Sequence, residues 1–157
     1  MNSAVVHYGE IGLKGKNRKY FEDLLVKNIE QKIDGKVIKE QGQISILFSK
    51  KINEKSVKDI LSKIPGIENF SLAEKAEPNN DAILKTALEL AKKLKFSTFK
   101  ISAKRHHKEN KLSSNEINNL LGDEIRKKLK KTVTMKNPDL DIKVEVVKDS
   151  AYISTEN

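Results

Sequence analysis

Most of the side chains that could bind a ligand or react in this sequence are cations. They are densest between residues 104 and 111. The basic residues of this segment are Lys104, Arg105, His106, His107, Lys108 and Lys111. Lysine and arginine form charge-assisted hydrogen bonds with phosphate oxygens, and arginine also stacks on unpaired bases. We therefore expect the lysines and the arginine of this segment to bind a polyanion, and His106 to contact a phosphate or a base.

A second basic segment joins a short apolar strand to a helix near the start of the chain. It contains Gly9, Gly12 and Gly15, whose spacing fits neither the dinucleotide fingerprint nor the triphosphate loop. The cations around the helix start are Lys14, Lys16, Arg18 and Lys19. The helix dipole disfavours each of them by about 0.3–1 kcal/mol, and a phosphate bound at the free amides would remove this conflict. The pattern therefore predicts phosphate contact here, with Asn17 either contacting RNA or only capping its helix.

Several kinds of reactive site are excluded or disfavoured by the sequence. The chain has no cysteine, which excludes disulfides, thiolate metal sites, cysteine nucleophiles and a persulfide relay within it. The neighbouring His106 and His107 point apart on an extended segment, and no carboxylate cluster completes a metal site. Ser113 and Ser114 are explained by helix capping. We expect no catalytic residue, no metal and no cofactor in this chain.

The charge balance points to a polyanionic partner, with 31 lysines and arginines against 22 acidic residues and a net charge of +9. On charge alone RNA, DNA and an anionic membrane remain open, and so does a merely lysine-rich surface. Five more cations lie at a predicted helix C-terminus, where they complement the helix dipole, which favours a solvated face for Arg126, Lys127, Lys128, Lys130 and Lys131. No signal peptide or membrane-length apolar run is found, so the expected location is the cytoplasm, without a membrane partner.

The first part of the chain, residues 1–76, has the element order βαββαβ. The helix that begins near Asn17 carries an apolar stripe at Tyr20, Phe21, Leu24, Leu25, Ile29 and Ile33. A hairpin turns around Gly42, and Asn53 caps the second helix. This order is typical of a ferredoxin-like domain, an antiparallel sheet with both helices on one face.

Residues 77–157 predict a second domain, again α/β, so that the fold class is α/β of the α+β kind. A polar linker ends at Asp81, which is expected to cap the next helix. In the strand that begins at Thr98, apolar residues alternate with Lys100, Ser102 and Lys104. Ser113 and Glu116 fit a capping box. A turn at Asn137-Pro138 precedes a final hairpin that turns at Asp149-Ser150.

Two stretches resemble one family, the tRNA 4-thiouridine synthetases, also called tRNA sulfurtransferases. The stretch VHYGEIGLKGKNRKYFEDLLVKNI is similar to their amino-terminal ferredoxin-like domain. The stretch KISAKRHHKENKLSSNEINNLLGDEI, with NPDLDIKVEVV after it, resembles a THUMP domain, which also occurs in other tRNA-modifying enzymes. The resemblance and the charge pattern agree on RNA contacts at Lys14, Lys16, Asn17, Arg18, Lys104, Arg105, Lys108 and Lys111, with Lys136 and Asn137 added from the turn before Pro138.

The resemblance implies the tRNA-binding half of a modification enzyme that forms 4-thiouridine and is linked to thiamine biosynthesis. In that family these domains bind the tRNA acceptor end, and a separate pyrophosphatase-like domain uses ATP and magnesium. The chain contains no SGGxDS-type ATP loop, so it is expected to be catalytically silent alone. Its implied partners are tRNA, a catalytic pyrophosphatase-type domain or chain, a cysteine desulfurase reached through that domain, and a second copy in a homodimer.

Three alternatives remain open from the sequence. The chain could bind ATP or transfer sulfur itself, it could be a THUMP-type adaptor for another tRNA-modifying enzyme, or its ferredoxin-like half could serve regulation or oligomerisation without RNA affinity. The leading expectation is one continuous RNA surface across both domains, built from the cations after the strand at Thr98 and those at the first helix start.

Overall fold

The structure is a computed structural model that describes residues 1–9, 16–106 and 112–155, with only the backbone of Lys16. Its contacts divide the chain into two compact units, Met1–Leu72 and Ala73–Asn157. This division falls inside a strand, shortly before the domain boundary predicted after residue 76, which stays a prediction.

The first unit has the predicted βαββαβ order. Its elements are β1 (Ser3–Tyr8), α1 (Lys16–Lys32), β2 (Gly35–Glu40), β3 (Gln43–Phe48), α2 (Glu54–Ser62) and β4 (Ile67–Ala76), whose last residues belong to the second unit. The strands lie in the order β2-β3-β1-β4, and β3 is antiparallel to both β1 and β2. The ferredoxin-like fold class is therefore confirmed.

The core of the first unit lies between its helices and its sheet. The residues that fill it include Leu25 and Ile29 of α1, Leu61 of α2, and Val6, Ile44 and Ile46 of the sheet. Each fully buried aliphatic side chain contributes about 1.5–3 kcal/mol. Asn53 caps α2 as predicted, because its side chain accepts a hydrogen bond from the Ser56 amide.

The predicted apolar stripe of α1 was wrong at two positions. Tyr20 is 72% exposed and Leu24 is 45% exposed. The buried arc instead follows Leu25 and Ile29, with Phe21 packed against the same cluster. Because successive helix positions are about 100° apart, residues 20 and 24 turn away from that arc.

In its described residues, 73–106 and 112–155, the second unit contains two helices and five strand segments, of which one is the end of β4. Its elements are α3 (Asn80–Lys92), β5 (Thr98–Arg105), α4 (Ser114–Leu129), β6 (Thr132–Val133), β7 (Leu140–Val146) and β8 (Ala151–Ser154). The strand order from the end of β4 is β4-β8-β7-β5-β6. β5 is parallel to both β6 and β7, whereas β7 and β8 form the predicted antiparallel hairpin.

The two faces of β5 differ as the alternation predicted. Phe99 and Ile101 are buried in one cluster with Ile117, Leu121 and Ile125 of α4. Lys100, Ser102 and Lys104 point to the other face, where their neighbours on β7 are Asp141, Lys143 and Glu145. The position of each cation on β5 is therefore fixed by the burial of its apolar neighbours.

Of the two helix caps predicted in the second unit, one is confirmed and one was wrong. Ser113 caps α4 by accepting a hydrogen bond from the Glu116 amide at 3.1 Å, as predicted. The predicted cap at Asp81 was wrong, because Asn79 accepts from the Ala82 amide at 2.8 Å. Asp81 instead lies in the first turn, where the helix dipole favours its charge. The short strand β6 was not predicted.

Candidate nucleic-acid interface

The end of β5 presents two of the predicted RNA-binding residues to solvent. Lys104 and Arg105 are both exposed, and their neighbours on β7 are Glu145 and Val146. One guanidinium nitrogen of Arg105 (Nη1) donates to the Leu112 carbonyl at 3.5 Å. At this end β5 is paired with β7, whereas its pairing with β6 covers only Thr98 and Phe99. Lys108 and Lys111, together with His107, lie outside the described residues.

His106 is held against β7 rather than presented to solvent. Its amide donates to the Val146 carbonyl at 2.8 Å, and its side chain is only 6% exposed. Nε2 of the ring is buried at 3.6 Å from a Glu145 carboxylate oxygen, a separation too long for a hydrogen bond, and no hydrogen-bond partner is found for it in the described part of the chain. This placement does not offer the ring for base stacking, and a phosphate contact by His106 stays a prediction.

The start of α1 carries the cations expected in the first unit. Asn17 is exposed in the first helical turn, which contains no acidic residue. Arg18 is half-buried, with its Nε 3.9 Å from a Glu22 carboxylate oxygen. The Tyr8 hydroxyl donates to the other oxygen of Glu22. Burial raises the pKa of Tyr8, and the Glu22 carboxylate raises it further. Lys14 and the side chain of Lys16 lie outside the described residues.

The turn between β6 and β7 is tied at both ends to the beginning of β5. The Thr134 amide donates to the Phe99 carbonyl at 2.9 Å. At the other end, an Asp139 carboxylate oxygen accepts from the amides of Ser97 and Thr98, at 2.9 and 3.2 Å. These backbone hydrogen bonds, the one from Ser97 first, lower the pKa of Asp139. The exposed Lys136 therefore lies on a turn whose backbone is well fixed.

A surface depression of about 500 Å³ lies beside this turn. It is lined by Lys100, Met135, Lys136, Asn137, Pro138 and Asp141. The Lys100 ammonium is 3.9 Å from one oxygen of Asp141, and the Ser102 hydroxyl donates to the other at 2.7 Å. Sequence reasoning placed Lys100 on the outer face of its strand but not in a site, and it gave no signal for Met135.

The second unit brings several of its cations onto one face. Lys100 and Lys104 lie on the same side of β5. Their separation is about 13 Å along the strand, at about 3.3 Å per residue. The depression beside Lys100 extends this row towards Lys136. Within the first unit, Asn17 and Arg18 share one helix start.

The described residues contain neither a metal-binding cluster nor a membrane-spanning helix. Across 1–9, 16–106 and 112–155, no three histidine, aspartate or glutamate side chains are grouped so that they could hold a metal ion. Within those ranges, none of the helices is both long enough and apolar enough to span a bilayer.

Two family models match the chain in the same order as the two units. The model for the ThiI ferredoxin-like domain matches residues 3–71, and the model for the THUMP domain matches residues 77–156. The chain belongs to the THUMP-domain family. The family resemblance drawn from the two sequence stretches is therefore confirmed.

Curated relatives of this THUMP chain are named as probable tRNA sulfurtransferases. The one from Thermotoga maritima is 38% identical over 157 residues, which cover 97% of this chain and 40% of the relative. The one from Natranaerobius thermophilus is 37% identical over 168 residues. The chain thus spans about two fifths of the length of these relatives.

Solved structures share the fold of both units. A 4-thiouridine synthetase crystallised in complex with RNA and with bound ATP is 38% identical, with a TM-score of 0.81 over 98% of this chain and 40% of that one. PH1313 from Pyrococcus horikoshii is 31% identical, with a TM-score of 0.86 over 99% of this chain and 54% of its own.

Proposed function

We propose that this chain is the tRNA-binding module of a 4-thiouridine-forming tRNA sulfurtransferase and that it recognises the tRNA acceptor end. The observation that carries the proposal is its similarity, over nearly its whole length, to a synthetase crystallised with RNA. In this proposal the chemistry, with ATP and magnesium, belongs to a separate catalytic domain or chain. Contact with a cysteine desulfurase through that domain and a homodimeric state are further parts of the proposal.

The cations of the second unit support RNA binding by their placement. Lys104 and Arg105 are exposed at the end of β5, where this strand is paired with β7. Phosphates that replace solvent around such side chains release condensed counterions, which makes the affinity fall steeply with salt. Arg18 and Asn17 add a second group of contacts from the first unit. One continuous RNA surface across both domains stays a prediction.

The decisive experiment measures tRNA binding by fluorescence anisotropy over a range of salt concentrations. The double variant Lys104→Glu, Arg105→Glu is expected to bind about 10- to 100-fold more weakly at low salt, because two charge-assisted contacts are lost. The slope of log affinity against log salt should become shallower by about 1.5. The matched control is Lys85→Glu, Lys127→Glu, which makes the same charge change at exposed positions on α3 and α4.

Three outcomes would contradict the proposal. Equal weakening by both double variants would mean that net charge alone attracts RNA and that the β5 end has no specific role. Equal affinity for intact tRNA and for tRNA without its 3′ single strand would remove acceptor-end recognition. If the wild-type chain binds no tRNA at all, a regulatory or oligomerisation role replaces RNA binding.

A further inference from the structure

A groove runs along one side of α2 in the first unit. One part of it, of about 280 Å³, lies between the end of α1, the segment that follows β3 and the first two turns of α2. A second part, of about 340 Å³, reaches Lys63 just after α2. The two parts share Lys32 and Ile60, so they form one surface, called here the α2 groove. From Asn53 to Lys63 it extends for about 15 Å, at about 1.5 Å per helical residue.

The floor of the α2 groove is apolar. The apolar residues that line it are Ile33, Phe48, Ile52, Val57 and Ile60. Ile33 and Val57 belong to the buried core of the first unit, and the other three are partly buried and pack against that core. Because the floor is continuous with the core, an apolar side chain placed on it would remove further apolar surface from water, which favours binding.

The rim of the α2 groove is positively charged. The charged residues that line it are Lys32, Asp34, Lys50, Lys51, Asp59 and Lys63, all of them exposed. Asp59 is already paired with Lys63, at 3.1 Å. Within the described residues, Lys32, Lys50 and Lys51 form no ion pair. Lys50 and Lys51 also precede the start of α2, where the helix dipole disfavours cations. Carboxylates brought by a partner would offset these charges.

We propose that the α2 groove binds an acidic amphipathic helix of a partner protein. A helix of about three turns matches the length of the groove. In this mode of recognition, apolar side chains three or four residues apart lie on the floor of the groove. The acidic side chains that flank them would face the lysines of the rim. The proposal goes beyond the proposed function and does not depend on it.

The α2 groove differs from the proposed RNA contacts of the first unit in position and in lining. Lys32 lies about 21 Å from Arg18 along α1, at the opposite end of the helix. Unpaired bases are typically held by aromatic rings and arginine planes. Among the described residues no arginine lines the groove, and its floor is mostly branched aliphatic, with Phe48 as its one aromatic ring. Such a floor suits the aliphatic side chains of a peptide helix better than a base.

The test begins with a displayed library of random peptides of about 18 residues, selected against the wild-type chain. We expect the enriched peptides to combine apolar residues three or four positions apart with glutamate or aspartate between them. In anisotropy titrations, the rim variant Lys50→Glu, Lys51→Glu should weaken their binding about tenfold or more, because two facing charges are reversed. Ser56→Trp should weaken it about as much, since the exposed Ser56 lines the groove and an indole would occupy it.

The matched control is Lys27→Glu, Lys55→Glu, which makes the same charge change at exposed positions of α1 and α2 outside the groove. It should retain peptide binding within about twofold. The proposal is overturned if no enriched peptide depends on the rim lysines, or if the control weakens binding as much as the rim variant does. In the latter case net charge alone would attract the peptides.

Two further measurements distinguish other occupants of the α2 groove. If the rim variant lowers tRNA affinity as strongly as the double variant at the end of β5, the groove belongs to the RNA surface and the proposal is wrong. If the wild type is a dimer in light scattering and Ser56→Trp makes it monomeric, a second copy of the chain occupies the groove, which also overturns the proposal. Absence of tRNA binding by the wild type would overturn only the proposed function.

Discussion

The two cationic groups of this chain use the same residue types in different electrostatic settings. One contact of Arg105 is with a neutral backbone carbonyl, that of Leu112. Arg18 instead lies 3.9 Å from the Glu22 carboxylate, which also accepts from the Tyr8 hydroxyl. A phosphate that approaches Arg18 must therefore compete with a carboxylate. Equal cation content does not imply equal contributions to RNA affinity.

The largest effect that we expect from this comparison is a difference in tRNA affinity between two arginine variants. Arg105→Gln should lower tRNA affinity about tenfold, whereas Arg18→Gln should lower it about threefold, because Glu22 already offsets part of the Arg18 charge. Parallel anisotropy titrations of both variants at low salt measure the difference. Equal losses would show that Glu22 does not compete with RNA. No loss with Arg18→Gln would remove that residue from the interface.

A smaller effect is expected when the competing carboxylate is neutralised. Glu22→Gln should raise tRNA affinity about twofold, since ion pairs between helix residues four positions apart are generally worth only about 0.3–0.5 kcal/mol. The amide oxygen can still accept the Tyr8 hydroxyl, so the local structure should persist. The double variant Arg18→Gln, Glu22→Gln is the control and should bind no better than Arg18→Gln alone. A lower affinity with Glu22→Gln would mean that Glu22 positions Arg18 for RNA.

The turn that carries Lys136 offers a test based on stability rather than on charge. Asp139→Ala removes the acceptor of the Ser97 and Thr98 amides and should lower the melting temperature by about 2–5 °C at neutral pH. Asp123→Ala, at an exposed position on α4, is the control and should change it less. Thermal unfolding followed by circular dichroism measures both variants.

The loss of stability caused by Asp139→Ala should also depend on pH. The pKa of Asp139 is lowered in the folded chain, so its contribution to stability is present above the ordinary aspartate pKa and is lost as pH falls through the lower folded value. The melting temperatures of wild type and Asp139→Ala should therefore converge as pH falls below the ordinary aspartate pKa and through the lower folded value. A difference that persists once Asp139 is protonated would mean that the alanine acts through packing or turn geometry.

Much of the fold follows from local sequence signals. The alternation along β5 gave its two faces, and Asn53 and Ser113 were recognised as caps because a side-chain acceptor precedes an apolar helical pattern. Local signals were ambiguous before α3, where Asn79, Asn80 and Asp81 are all good capping residues. The apolar pattern of α1 likewise allowed two overlapping arcs, and only the packing selected the one through Leu25 and Ile29.

The site was harder to predict from the sequence than the fold, because its key contacts join residues that are far apart along the chain. His106 is buried through Val146 and Glu145, which belong to a strand far along the chain. Asp139 acts on Ser97 and Thr98, some forty residues earlier. The depression beside Met135 exists only because this turn lies next to Lys100 of β5. The sequence indicated which cations are present, and the sheet pairing determines which of them share a face.

The parallel pairing of β5 with β7 also has a consequence for how the chain acquires its binding ability. Phe99 pairs with Leu140 and Arg105 with Val146, and the whole of α4 lies between the two strands in the sequence. Pairings between such distant segments are characteristically slow steps in folding, because a long loop must close before the contacts form. The turn at Lys136 therefore comes to lie beside Lys100 only once this non-local pairing has formed. Affinity for RNA should appear in step with that closure rather than grow gradually as the chain lengthens.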